Sequence, residues 1–249
     1  DWHGWPSAPG RCDDPVMSDE PELLAEQLEY YRERAGEYDE WWERKGRYDR
    51  GAEANRRWFA EIETVRAIFD ELPLDGDVLE LAPGTGYWTE LLARRARHVT
   101  ALDGSVEMLA INRARLGDLM QRVEHRQVDL FEWTPDRRFE GLVFCFWISH
   151  VPRDRLAGFL CTCRAALVDG ATMFFLDGQR IQETTAVDQV LPAEEREVMV
   201  RRLNDGREFR IVKNFHAPDH LVELAARADI ELDVGYTSTF FQYGVGVAR

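Results

Sequence analysis

Val78-Leu79-Glu80-Leu81-Ala82-Pro83-Gly84-Thr85-Gly86 decides the fold. A short apolar run, Asp77 to Leu81, breaks into small residues and glycines, and an amphipathic segment from Trp88 to Arg95 follows. The spacing predicts a strand that enters a helix through a tight turn, where glycine lets the backbone approach a ligand that a Cβ would keep away. A Gly-x-Gly pair alone is weak evidence, because an ordinary turn also uses glycine.

Outward from this turn the pattern repeats. Apolar runs at Val99 to Leu102, Val123 to Val128, Gly141 to Trp147 and Ala171 to Leu176 alternate with helical stretches at Ser105 to Leu116 and Arg153 to Leu167. Buried strands separated by helices predict an α/β, doubly wound, mostly parallel sheet. Glu231 to Tyr236 and Phe240 to Val247 add two final strands, read as an antiparallel pair after a helix over Pro218 to Ala228, and bring the sheet to seven. Val198 to Phe215 departs from the alternation: Asn204, Asp205 and Gly206 punctuate two strand-like runs and mark a hairpin inserted over the sheet. Ahead of the sheet, Pro21 to Arg47 reads as helical with breaks at Gly36 and Gly46. Glu53 to Leu72 buries Trp58, Ile62, Val65 and Phe69 at spacings of three and four. The expected organisation is one domain over 17–249, with a helical cap at 17–52 and the hairpin at 198–215. Residues 1–16, rich in Pro, Gly and Trp without periodicity, are expected to be a disordered tail or sequence foreign to the protein.

Composition narrows the function. With 46 Asp and Glu against 31 Lys and Arg, the net charge of −15 repels nucleic acid and anionic membranes and favours a small-molecule substrate. No apolar stretch approaches bilayer length and no secretion signal is evident, so a cytoplasmic protein is expected. Four cysteines fit a reducing compartment. Cys145 sits in an apolar run, and Cys161 and Cys163 point apart on a helix, so no metal site is expected.

The candidate ligand-binding residues sit at strand ends. Asp103, seventeen residues after Gly86, can accept two hydrogen bonds from a ribose diol or cap the helix that begins at Ser105. Asp129 can accept from an adenine amino group beside the backbone of Leu130, or cap its own loop. Thr89 occupies the position where a dinucleotide fingerprint needs its third glycine, which weakens NAD binding. Phe146 and Trp147 read as pocket walls or core. His150 follows the fourth strand and could orient an acidic oxygen, remove a proton or fasten a loop. Arg201, Arg202, Arg207, Arg210 and Lys213 gather positive charge in the hairpin. A three-residue loop over Asn204 to Gly206 places Arg201 and Lys213 on one face, and a two-residue loop separates them.

Together Glu80 to Gly86, Asp103 and Asp129 resemble the motifs of the class I S-adenosylmethionine-dependent methyltransferases over about 77 to 180, departing at Ala82 where a glycine is usual. Further segments extend the likeness: Tyr30 to Ala35, Glu37 to Asp39, Gly76 to Leu81, Gly84 to Thr89, Val99 to Ser105, Asp129 to Asp136, His150 to Pro152, Asp205 to Arg207 and Phe209 to Lys213. With these the chain resembles phosphonate O-methyltransferases of the dehydrophos type. The resemblance implies S-adenosylmethionine as cofactor, with S-adenosylhomocysteine as product, held by Tyr31, Tyr38, Glu80, Ala82, Gly84, Gly86, Asp103, Gly104, Met108, Asp129, Leu130 and Phe146. It also implies helices closing over the site, Tyr48 facing the substrate, and an anion site at Arg201 and Lys213 for a small acid, with His150 nearby, in a monomer or homodimer. An N- or C-methyltransferase, a non-catalytic binding module and a dinucleotide-dependent oxidoreductase are the alternatives.

Overall fold

The computed structural model describes residues 20–249, so the expectations for 1–16 and Cys12 lie outside the described residues. The chain opens with α1 (Glu20–Arg34), a 3₁₀ turn over Ala35–Glu37, α2 (Tyr38–Trp42), a second 3₁₀ turn over Gly46–Tyr48, and α3 (Ala52–Asp70). The expected helix over 21–47 is therefore broken at both Gly36 and Gly46. Next come β1 (Asp77–Leu81), α4 (Tyr87–Arg95), β2 (His98–Asp103), α5 (Val106–Leu116), β3 (Val123–Gln127), β4 (Phe139–Cys145), α6 (Leu156–Ala165) and β5 (Leu167–Gly178). The hairpin β6 (Val198–Arg202) and β7 (Glu208–Val212), then α7 (Pro218–Arg227), β8 (Ile230–Tyr236) and β9 (Phe241–Ala248) complete it.

Seven strands form one sheet in the order β3-β2-β1-β4-β5-β9-β8. The pairings from β3 to β5 are parallel, and β9 runs antiparallel to both β5 and β8. The order reverses between β1 and β4, and the crevice beyond their carboxyl ends is where such sheets bind ligands. The central strands are apolar on both faces because helices cover both. Leu79, Leu142 and Phe144 pack toward α6 and α7, while Val78, Val143 and Phe174 meet Trp58, Phe69 and Trp88 of α3 and α4.

Two strands end earlier than their apolar runs, β3 by one residue at Gln127 and β4 by two. β4 stops at Cys145 rather than Trp147, because Phe146 takes φ +58 and turns out of the sheet, its N–H donating to Leu176 O at 2.6 Å. The hairpin has the three-residue loop: Leu203 N–H donates to Arg207 O at 2.9 Å and Gly206 N–H to Leu203 O at 3.0 Å. Gly206 adopts φ +92, which glycine alone takes without strain. In this register Arg201 stands opposite Phe209, and Met199, Leu203 and Ile211 bury the same face against Tyr30 of α1.

α3 is fastened to the β8–β9 turn by one carboxylate. Glu61, buried, accepts from Ser238 Oγ at 3.0 Å, Thr239 N at 3.1 Å and Phe240 N at 2.8 Å, and from Thr237 Oγ1. Glu61→Ala leaves the buried Phe240 N–H without an acceptor and frees the turn's other donors, and should lower the unfolding free energy by about 3 kcal/mol in urea titration. A loss within error would show that the turn holds itself.

Candidate active site

The turn after β1 is built from residues in left-handed conformations: Ala82 at φ +50, Gly84 at +55 and Gly86 at +97. Ala82 therefore carries strain at the position where a glycine would not. Ala82 N–H donates to Leu102 O at 2.8 Å, and Gly84 N–H donates to Asp103 Oδ2 at 3.2 Å. A Cβ on Gly86 would lie 2.9 Å from Asn112 Cγ, so α5 presses directly on the turn. Asn112 donates to Thr89 Oγ1 at 2.8 Å and reaches Gly84 O at 3.4 Å. The threonine at the third-glycine position is thus part of the clamp beneath the turn.

A cleft of about 400 Å³ opens beyond the strand ends. Tyr31, Tyr38, Ala82, Gly84, Asp103, Gly104, Met108, Asp129 and Phe146 all line it, as does Trp147. Asp103 also caps: its Oδ1 accepts from Ser105 N–H at 2.8 Å. Burial raises its carboxyl to about 6 despite those bonds. Asp129 likewise does both, accepting from Phe131 N–H at 2.9 Å while lining the cleft. Glu80 and Gly86 lie instead in a smaller adjoining hollow under the turn, beside Trp41 and Trp42. Leu130 is not a lining residue, because its side chain packs into the core between the sheet and α6.

A side chamber joins the cleft, sharing Tyr31, Tyr38, Phe146 and His150 as walls. Arg201 and Lys213 enter it together from the hairpin, as the three-residue loop requires. Arg201 Nη1 donates to Gln189 Oε1 at 2.7 Å, and Lys213 Nζ donates to Ser149 Oγ at 2.7 Å. Asp177, at the end of β5, stands 3.4 Å from Lys213 Nζ. Burial alone would raise its carboxyl, but the Lys213 ammonium together with the N–H groups of Ser149 and Gly178 holds it below the ordinary value. Burial also lowers Lys213, only partly opposed by Asp177. The other hairpin cations face outward into ion pairs: Arg202 with Glu208 at 2.5 Å, Arg207 with Glu33 at 2.5 Å and Arg210 with Glu26 at 2.7 Å.

His150 carries its proton on Nδ1, since that atom lies 2.7 Å from Val212 O, which only accepts. Nε2 therefore accepts from Tyr31 Oη at 2.8 Å. Burial and then Lys213 push the imidazole down to about 3, so it is neutral at working pH. Tyr48 does not line the chamber. It is buried behind Arg34, whose Nη2 donates to its hydroxyl at 3.3 Å. Arg34, Asp177 and Trp41 are parts of the site that the sequence reading did not single out. Trp41 Nε1 donates to Thr184 O at 2.7 Å and closes one wall.

The helical cap is tied to the turn by charge. Asp39 of α2 accepts from Thr85 Oγ1 at 2.5 Å and from Arg115 Nη2, while Arg115 Nε donates to Thr85 O at 2.7 Å.

A family model described as "Methyltransferase domain" matches residues 78–170. Among solved structures, DhpI in complex with SAH is 38% identical, covers 91% of this chain and 97% of its own, and superposes with a TM-score of 0.70. DhpI in complex with SAM and HEP is also 38% identical, covers 90% and 97%, with a TM-score of 0.71. An S-adenosylmethionine-dependent methyltransferase from Mesorhizobium loti, 18% identical over 76% of this chain and 97% of its own, shares the fold at a TM-score of 0.57. No curated protein matches the chain.

Glu80 is 2% exposed, its Oε2 has no partner among the described residues, and burial raises its carboxyl from 4.5 to about 8. The folded state thus holds this proton more tightly than the unfolded chain. Its contribution to stability is full below pH 4.5 and is lost as pH rises through about 8. In ligand-free protein the stability of Glu80→Gln relative to wild type should grow with pH across that window, at about 1.4 kcal/mol per unit, and level off above it. Denaturant titrations at a series of pH values check this, and parallel curves would show that Glu80 is ionised in the fold.

Proposed function

Since the chain belongs to the class I S-adenosylmethionine-dependent methyltransferases, we propose that it is an O-methyltransferase acting on an anionic oxygen of a small phosphonate or related acid in secondary metabolism. The observation that carries this reading is the side chamber, where two hairpin cations, the buried Arg201 and the half-buried Lys213, open onto the cleft through Tyr31 and His150.

The residues present fit the cofactor. The cleft has the size of a nucleoside-bearing ligand. Gly84 and Gly104 leave backbone within reach, and the Asp103 carboxylate lies on the wall at the end of β2. Bound there, S-adenosylmethionine supplies a methyl group on a cationic sulfur. Asp103 would accept from the ribose hydroxyls, Asp129 from the adenine amino group, and the turn from Glu80 to Gly86 would hold the methionine portion. Phe146, Tyr31 and Tyr38 would wall the junction between donor and acceptor and exclude water.

The acceptor oxygen of a phosphonate is already ionised at neutral pH, so no base is required. His150 is neutral and its one free lone pair is spent on Tyr31. Its role in this reading is to orient the Tyr31 hydroxyl, while Arg201 and Lys213 hold the acid in line with the methyl group. Tyr48 would act through Arg34 rather than by touching the acceptor.

Purified protein incubated with S-adenosylmethionine and short alkylphosphonates or carboxylates should yield S-adenosylhomocysteine and a methyl ester. Failure to methylate any small acid would overturn the reading. Arg201→Gln removes one charge-assisted contact and should raise KM for the acid about 100-fold, with S-adenosylhomocysteine affinity unchanged by calorimetry. An unaltered KM would remove the hairpin from acceptor binding.

A further inference from the structure

The side chamber contains a third cation. Arg34, the last residue of α1, is 5% exposed and lines the chamber with Arg201 and Lys213. Its guanidinium lies among three phenol rings, 4.8 Å from the Tyr38 centroid, 5.5 Å from Tyr30 and 5.7 Å from Tyr48. No carboxylate pairs with it or with Arg201 among the described residues: their side-chain partners are the Tyr48 hydroxyl and the Gln189 amide. The Nε atoms of both are buried with no acceptor among the described residues. Lys213 is balanced by Asp177, and His150 is neutral. Among the described residues, three cations against one carboxylate leave the chamber with two positive charges that no carboxylate pairs. Buried charge of this kind is costly until an anion meets it.

Resting on the acid-methylating reading above, we propose that Arg34 is a specificity-determining residue of the acceptor chamber. The double positive excess it creates restricts the site to doubly charged acids, so the singly charged ester formed in the reaction is not a second substrate. The charges balance around the step. An oxygen lone pair of the dianion forms the new O–C bond as the methyl–sulfur bond breaks and its electron pair stays on sulfur, and no proton moves. The acid falls from two negative charges to one and the sulfonium becomes neutral. The product therefore leaves one chamber cation without a partner, and that weakens its hold and disfavours its return as an acceptor. A carboxylate or sulfonate, singly charged from the start, meets the same penalty. Arg suits this position better than Lys, because its planar fork stacks between phenol rings while its edges still donate.

The test uses one carbon skeleton in three forms: an alkylphosphonate, its monomethyl ester, and the carboxylate. Each is assayed for methyl transfer with the intact chain and S-adenosylmethionine. Wild type should favour the phosphonate over both monoanions by at least about 100-fold in kcat/KM, the scale of one lost buried charge contact, and should make no dimethyl ester. Arg34→Gln should raise KM for the phosphonate by a similar factor while changing the monoanions little, so that the preference collapses, and Arg34→Lys should restore part of it. S-adenosylhomocysteine affinity serves as the control for folding. If wild type methylates none of the three, the acid-methylating reading itself fails. If the phosphonate is methylated but the monomethyl ester is carried on to the dimethyl ester at a comparable rate, or if Arg34→Gln keeps the discrimination, the charge count alone is wrong. Should Arg34→Gln not fold, the wild-type comparison of phosphonate with its monoester still decides.

Discussion

The bond from Gly84 N–H to the Asp103 carboxylate joins the ends of two neighbouring parallel strands, and the rest of the site takes its position from that junction. Asp103 O then accepts from Val128 N–H at 3.0 Å, which carries the alignment to the third strand end and to Asp129. From the opposite side Asn112 fills the space that a side chain on Gly86 would need. The turn is thus held from both flanks, and its backbone stays exposed toward the cleft. α2 fastens onto it through Asp39 and Arg115, and α1 follows, bringing Tyr31 and Arg34 over the sheet. The hairpin packs last, against Tyr30 of α1. A shift in the turn would therefore be felt at the side chamber through a chain of packed elements.

The acidity of the molecule and the positive charge of its chamber are parts of one arrangement. The carboxylates of α1 lie beside the hairpin, where Glu26 and Glu33 take Arg210 and Arg207. Such exposed pairs contribute less than about 1 kcal/mol each, but they fix which side of the hairpin faces out. The side facing in carries Arg201 at a buried position without a carboxylate partner among the described residues, where charge is expensive and a folded protein keeps it only with a compensating ligand or a specific use. An overall field that repels anions coexists with a local one that draws them, because the chamber is shielded from the surface carboxylates by protein of low polarisability.

The fold was legible because the buried strands are apolar on both faces and stand out as runs, and because the breaks at Gly36 and Gly46 interrupt a helical pattern. The strand ends that carry Asp103 and Asp129 followed from the same alternation. Spacing alone could not say which of Asp129 and Leu130 turns its side chain toward the cleft, and the Leu130 side chain turns into the core. Phe146 was assigned to a strand, since nothing in an apolar run signals a residue at positive φ. Arg34 stood in Tyr-Tyr-Arg-Glu-Arg, a stretch with the composition of a solvated helix face, and only the packing of α1 on the hairpin shows that it is inside. For Asp177 a signal did exist: an acid closing the run Met173 to Leu176 at the end of a central strand, the same signature that pointed to Asp103.

The protonation states in the site follow mainly from one constraint, the burial of its ionisable groups. Burial keeps His150 neutral and raises Asp103, while Lys213 and the N–H groups of Ser149 and Gly178 together hold Asp177 below the ordinary value against its burial. A reaction that moves no proton suits such a place. Groups that would have to exchange protons with solvent are locked into fixed states, while groups that only hold charge gain strength from the low polarity around them. An arginine among phenol rings fits this pattern. It stays charged whatever the surroundings and donates in a fixed plane.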